Sequence, residues 1–145
     1  MEHLVYCDDK EKVLEKIMDG TKTMVVRGAA GRVFEGEKLY FMKKGSKAIS
    51  ARAVVKSVQN YVKLSDEAID EALESNQDRL NLSEKQKKRW HKKCLCLVEF
   101  ENVEAIEPLA FDHQGNMDDW LIIEKIEDVV VGSSIPYNYE KSKFK

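Results

Sequence analysis

Apolar residues recur along the first third of the chain at helical spacing, flanked by runs that are typical of strands. The helix is predicted after a capping Asp8 or Asp9 and ends at Gly20, which suits the left-handed position after a helix. Its apolar stripe consists of Val13, Leu14, Ile17 and Met18. Strand-like runs lie at residues 3–7 and 23–27, on either side of this helix.

Two further strands are predicted at 37–43 and 48–62. In the first, Leu39 and Phe41 alternate with Lys38 and Tyr40, which predicts one buried face and one solvent face. In the second, the spacing shifts near Lys56, which indicates a β-bulge or a sharp bend.

The second half of the chain begins with helical signals and returns to strands. Ser65 is a typical N-cap, and a second helix is expected from Asn81 to about Lys93. Residues 94–106 form the strongest strand signal, which Pro108 is expected to end because proline donates no backbone hydrogen bond. Apolar runs at 120–123 and 129–131 can complete the sheet.

Strands come in clusters and do not alternate regularly with helices. This order argues against a doubly wound parallel sheet and predicts an α+β fold, a small mixed or antiparallel sheet curled towards a barrel with flanking helices. We expect a single domain over residues 1–135 and a polar C-terminal tail over 136–145.

Composition bounds the function without naming it. The 145 residues are 43% hydrophobic, which argues against disorder, and 24 Lys and Arg oppose 26 Asp and Glu for a net charge of −2. Any nucleic-acid binding must therefore depend on local charge. No apolar run approaches a membrane span, and the N-terminus resembles no signal sequence, so a cytoplasmic protein is expected. The sequence indicates no oligomeric state.

Three cysteines in such a chain are expected to be reduced thiols. Cys94 and Cys96 share one strand face and are expected to be small buried residues, although His91 could join them as a third metal ligand. The spacing does not suit zinc and no fourth ligand is evident, so no metal is predicted. Nucleotide-fold and hydrolase motifs are also absent, and no cofactor is expected.

The segment from Gly20 to Gly28 holds the first candidate site. Lys22 lies on the turn after the helix, and Thr23, Val25 and Arg27 share one face of the following strand. A lysine and an arginine at the rim between helix and sheet suit the capture of a phosphate or carboxylate. The alternative is an ordinary solvated lysine and a surface arginine.

A basic stretch forms the second candidate. Six of the nine residues 85–93 are Lys or Arg, and Trp90 lies among them, an arrangement that can hold a phosphate backbone while a base stacks. The preceding segment 66–78 carries six acids, so the alternative is a helical hairpin with surface ion pairs around a buried Trp90.

The sequence Gly20-Thr-Lys22-Thr23-x-x-x-Arg27 resembles the motif of ASCH domains in the PUA-like superfamily. Residues 35–40 and 94–100 resemble two later strands of that family, and the whole chain resembles an uncharacterised archaeal PUA-like family. The resemblance implies a PUA-like β-barrel with a cleft between helix and barrel, and relatives that bind RNA or read modified bases.

One bacterial branch of the family hydrolyses an acetylcytidine nucleoside with a lysine, a threonine and a glutamate. By position Lys22 matches the lysine, Val25 replaces the threonine, and Asp78 or Glu74 falls near the acid. Because valine supplies neither a hydroxyl nor a carboxylate, hydrolysis is the second expectation.

The first expectation is a module that binds RNA or a nucleotide beside Lys22. The expected binding residues are Lys22, Thr23, Arg27, Gly28, Arg32, Lys43, Lys88, Trp90 and Lys92. If the protein is an enzyme, the expected catalytic residues are Lys22 with Asp78 and Glu74.

Overall fold

The computed structural model describes residues 1–112, 117–128 and 130. The strands are β1 (Glu2–Cys7), β2 (Met24–Arg27), β3 (Lys38–Lys43), β4 (Ala48–Tyr61), β5 (Leu95–Ala110) and β6 (Trp120–Ile123). The helices are α1 (Val13–Met18), α2 (Asp66–Ser75), α3 (Gln77–Leu80) and α4 (Glu84–Arg89), followed by a 3₁₀ turn at Ile126–Asp128. The predicted runs at 129–131 and 136–145 lie outside the described residues, Val130 excepted.

All six strands form one mixed sheet in the order β2-β5-β4-β3-β1-β6. Only the β1–β3 pair is parallel, and the other four pairs are antiparallel. Val5 of β1 and Val25 of β2 pack in the same core cluster although three strands separate them in the sheet. The sheet is therefore strongly curled into a half-barrel, and the predicted α+β fold with a curled mixed sheet is confirmed.

Both faces of the sheet are covered, which overturns one sequence prediction. Leu39 and Phe41 lie in one core cluster, as expected, but Tyr40 and Met42 are also buried, in a second cluster with Phe111. Met117 and Ile126 join Phe111 in this second cluster over the outer face, so alternation in β3 does not mark a solvent side. A third cluster packs α2 against β2 and β5.

The long pair β4–β5 bends at irregular points that the sequence indicated only in part. One register shift lies between Val55 and Ser57, which confirms the bulge predicted near Lys56. The predicted end of β5 before Pro108 is wrong, because the strand runs on to Ala110. Residues 106–108 fall in another shift, between the pairs Ala51–Ala105 and Ile49–Leu109, where a missing N–H disrupts no regular ladder.

The helix ends differ from expectation at two places. The predicted N-cap of α1 is wrong: Lys12 occupies it in the left-handed region with φ 52°, while Asp8 accepts from the Lys10 N–H at 2.9 Å. Ser65 does cap α2. The predicted helix over 81–93 is shorter, because a Ser83–Gln86 capping box starts α4 and Trp90 ends it. No described helix is long and apolar enough to span a membrane.

Candidate functional site

A cavity of about 380 Å³ opens where the curl of the sheet brings β1 close to β2. On one side, here called the β2 side, it is lined by Lys22, β2, the Gly28–Ala29 turn and residues of α4 with Trp90 and Lys92. On the other, the β1 side, it is lined by residues 5–8 and by 118–120. The volume falls in the range of small-molecule sites.

The turn after α1 directs Lys22 into this cavity. Gly20 takes φ 83°, Asp19 accepts from the Thr21 N–H at 2.8 Å, and the Lys22 N–H donates to the Lys16 carbonyl at 3.0 Å. These contacts fix the backbone up to Lys22, two residues before β2 begins. The Lys22 side chain is only 3% exposed, and its Nζ donates to the Leu80 carbonyl at the end of α3.

Burial changes the chemistry of this amine. Desolvation, with a smaller contribution from the charge of Lys16, lowers the pKa of Lys22 from 10.5 to about 8. Within the described residues, no carboxylate forms an ion pair with it. At pH 7 about a tenth of the Lys22 amines are therefore neutral, a form that can act as a nucleophile or a base.

Arg27 organises the loop that follows β2. Its Nη1 donates to the carbonyls of Ala29 at 2.9 Å and Gly31 at 3.1 Å, and partial burial lowers its pKa. Within the described part of the chain, Nε and Nη2 have no hydrogen-bond acceptor. Arg27 therefore shapes one edge of the cavity and keeps donors for a ligand.

Trp90 and Lys92 complete the β2 side. Arg89 and Lys92 place their charges 5.4 Å from the Trp90 ring centroid, in cation–π geometry. Gly28 allows this group to approach closely, since a Cβ there would lie 3.4 Å from Lys92 Nζ and 3.5 Å from the Trp90 ring. Trp90 is half-buried, so it is both an anchor on the α2 core cluster and a cavity wall.

The β1 side contains residues that the sequence analysis did not select. Trp120, Asp118 and Asp119 line it, and Arg89 reaches Asp119 across the cavity at 3.0 Å. Lys44 lines it as well. Trp120 was predicted only as part of an apolar strand. Nothing in the sequence Asp118-Asp119-Trp120 indicates that these residues lie near Lys22 in the folded chain.

Four of the expected binding residues do not line the cavity: Thr23, Arg32, Lys43 and Lys88. Lys43 donates to Asp9 at 3.1 Å and to Glu15 at 3.0 Å, so its charge is already neutralised. Arg32 and Lys88 are exposed elsewhere. The cavity does hold Lys22, Arg27, Gly28, Trp90 and Lys92.

Neither expected catalytic acid lies in the cavity. Glu74 is 61% exposed and pairs with Lys87 at 2.9 Å, and Asp78 is 80% exposed beside Arg79 at 3.8 Å. The carboxylates lining the cavity are instead Asp8, Asp118 and Asp119. The hairpin alternative for the basic stretch holds in part, since Lys87 of α4 pairs with Glu74 of α2 and His91 lies 3.4 Å from Asp70.

The cysteines are free thiols, with Cys7 and Cys96 buried and Cys94 half-buried just before β5. Cys7 lines the cavity, and burial raises its pKa to about 12, so this thiol stays protonated. Among the described residues no group of three His, Cys, Asp or Glu is placed to hold a metal ion. His113 lies outside the described residues.

Comparison with solved structures identifies the fold. The chain superimposes on the crystal structure of ASCH from Zymomonas mobilis with a TM-score of 0.65 and 13% identity, over 86% of this chain and 88% of the other. Two single-substitution variants of that protein give the same score and identity. The fold is that of an ASCH domain. The resemblance seen in the sequence is thus confirmed at the level of fold, and the closer likeness to an archaeal family stays a prediction.

Comparison by sequence adds nothing further to this ASCH-like fold. No family model matches the chain, and no curated protein matches it.

Proposed function

We propose that the cavity between β1 and β2 binds a nucleotide, either free or as part of an RNA strand. The observation that carries this proposal is the meeting of Lys22 and Arg27 in one cavity with two indole rings, Trp90 and Trp120. Cationic donors suit phosphate oxygens, and indole faces suit bases. The ASCH-like fold supports the proposal in general terms.

The charges around the cavity favour a ligand with an anionic end. Lys22 and Arg27 donate hydrogen bonds to backbone carbonyls, and among the described residues neither forms an ion pair with a carboxylate. Asp118 acts on Arg27 only through space, so both cations keep donors for an anionic group. Lys92 is exposed beside them. The acids of the β1 side accept hydrogen bonds and suit the amino groups of a base at the other end of the ligand.

The test is a titration of fluorescently labelled single-stranded RNA at two salt concentrations. If Arg27, Lys44 and Lys92 each contact one phosphate, the affinity falls about 18-fold between about 50 and 200 mM salt, from a slope of about −0.7 per contact. Lys92→Ala should lower the affinity and reduce that slope by about 0.7. Lys56→Ala, an exposed lysine of β4 away from the cavity, is the matched control and should change neither.

Two outcomes contradict this proposal. One is the absence of binding at low salt. The other is an equal effect of Lys92→Ala and Lys56→Ala, which would indicate only nonspecific attraction to positive charge.

One observation favours a second function, hydrolysis of a modified nucleoside in the same cavity. The buried amine of Lys22, with its pKa near 8, is a suitable nucleophile or base, and three carboxylates line the cavity with it. Val25 also lines it and supplies no catalytic group. Incubation with acylated cytidines should then release cytidine from the wild type and not from Lys22→Met, and no release from the wild type eliminates this function.

A further inference from the structure

His3 is fully buried on β1 and is hydrogen-bonded at both ring nitrogens. Its Nε2 lies 2.9 Å from Glu37 Oε1, and its Nδ1 lies 3.0 Å from the indole Nε1 of Trp120. The two rings meet edge to face, with centroids 5.8 Å apart. A residue that no solvent reaches thus connects a carboxylate to a ring that lines the cavity.

The neighbours of His3 decide which nitrogen carries the proton. The indole N–H of Trp120 is only a donor, so Nδ1 must accept and carries no hydrogen. Nε2 therefore carries the hydrogen and donates it to Glu37, an ionised acceptor that also receives the Phe34 N–H at 2.8 Å. Trp120, His3 and Glu37 form one directed chain of hydrogen bonds.

This chain determines what Trp120 offers to a ligand. Its only polar group is already bound inside the protein, so the part of the ring that lines the cavity is carbon surface. The ring also cannot turn without breaking its bond to His3 and leaving a buried imidazole nitrogen without a partner, which is unfavourable.

We propose that His3 and Glu37 are positioning residues that hold the Trp120 indole as a fixed aromatic wall of the cavity. This wall selects ligands with a planar ring. Protonation of His3 releases the indole from its fixed position. The selection of a ring rests on the proposed nucleotide function; the hydrogen-bond chain does not.

The direction of the pH dependence follows from the groups around His3. Burial lowers its pKa below 6.5 and outweighs Glu37, which raises it, while the amino group of Met1 and the guanidinium of Arg27 lower it further. His3 is therefore neutral at pH 7. At acidic pH the added proton sits on Nδ1 and faces the indole N–H, so two donors oppose each other and the Trp120 hydrogen bond is lost.

The first measurement is the indole N–H signal of Trp120 in the full chain labelled with ¹⁵N-tryptophan, assigned with Trp90→Phe. We expect slow exchange with solvent at pH 7 and a change of signal at acidic pH. His3→Phe should make the exchange fast. His3→Asn, whose Oδ1 can take the place of Nδ1, should keep it slow and abolish the pH transition.

The variant Glu37→Gln tests the electrostatic role of Glu37, which a merely structural role would not reveal in the pH of the Trp120 transition. Because the carboxylate raises the pKa of His3, its removal should move the acidic transition of the Trp120 signal to lower pH. An unchanged transition in Glu37→Gln, or an exchange rate that His3→Phe leaves slow, would overturn the positioning role.

The second measurement compares the binding of cytidine 5′-monophosphate with that of inorganic phosphate, which has no ring. His3→Phe and Trp120→Leu should each weaken nucleotide binding about tenfold or more and leave phosphate binding unchanged. His3→Phe binding the nucleotide as tightly as the wild type would refute the wall. If the wild type binds neither probe, the nucleotide function fails with the selection, while the exchange data still decide whether His3 holds Trp120.

Discussion

The two ends of α1 place a lysine in opposite surroundings. At the N-terminal end Lys43 meets two carboxylates, Asp9 and Glu15, in solvent. Beyond the C-terminal end Lys22 is buried, and among the described residues its ammonium donates only to the carbonyl of Leu80. The pKa of Lys43 is raised, chiefly by its hydrogen bond to Glu15, and that of Lys22 is lowered by burial.

The difference in their partners distinguishes Lys43, whose charge is paired within the fold, from Lys22, whose charge can attract a ligand. A carboxylate pair cancels positive charge, whereas a carbonyl satisfies one N–H and leaves the charge in place. Burying an unpaired ammonium costs stability, and proteins keep such groups mainly where they act. The comparison therefore favours Lys22 over Lys43 as a residue of the proposed binding site.

The largest expected effect is on the way the free energy of unfolding changes with pH. The folded pKa of Lys22 is about 8 and the unfolded value about 10.5, so between these values the unfolded chain binds more protons and stability rises with pH. From about pH 7.5 to 10 the wild type should gain about 2–3 kcal/mol relative to Lys22→Met. Urea unfolding at both pH values measures this difference.

Cys7 needs a control in that experiment. Its pKa is raised from 9 to about 12, so its contribution to stability falls as pH rises above 9, opposite to that of Lys22. Both proteins should therefore carry Cys7→Ala. An equal gain in the free energy of unfolding, with and without Lys22→Met, would show that Lys22 is not held as a desolvated cation.

The sequence predicted the fold well where local patterns determine structure. The clustering of strands, the N-cap at Ser65 and the irregularity near Lys56 all follow from short-range chemistry, and the structure confirms each. The predictions for Tyr40 and Pro108 were wrong for a common reason. Their surroundings depend on where distant strands pair and return, and no local spacing contains that information.

The candidate site was predictable on one side only. The turn after α1 and the strand after it placed Lys22 and Arg27 at the rim between helix and sheet, and they do line one cavity. The β1 side is brought in by the curl of the sheet. His3 and Trp120, which are 117 positions apart, meet only in the folded chain.

A smaller effect is expected from crowding the β2 side at Gly28. The added Cβ of Gly28→Ala would lie 3.4 Å from Lys92, whose long side chain can move aside. The fold should be retained, with RNA affinity reduced severalfold because the methyl group takes up space at the cavity edge beside Lys92 and Trp90. Gly45→Ala is a useful contrast, since no atom lies near its Cβ but its φ of 88° is strained. It should lower the thermal midpoint and not the affinity, and the reverse pattern would contradict this account.

The smallest and most selective effect concerns two adjacent lysines, one at the end of β3 and one just after it. Lys43 and its neighbour Lys44 carry the same charge, but Lys44 lines the cavity and Lys43 is bound to Asp9 and Glu15. Lys44→Met should reduce the salt dependence of RNA binding by about one phosphate contact, a slope change of about 0.7, and Lys43→Met should leave it unchanged. Because the net charge changes equally in both, a difference between them can come only from position. Equal salt slopes for the two variants would mean that pairing with two carboxylates does not prevent Lys43 from attracting the RNA. The contrast between the two ends of α1 would then have no functional meaning.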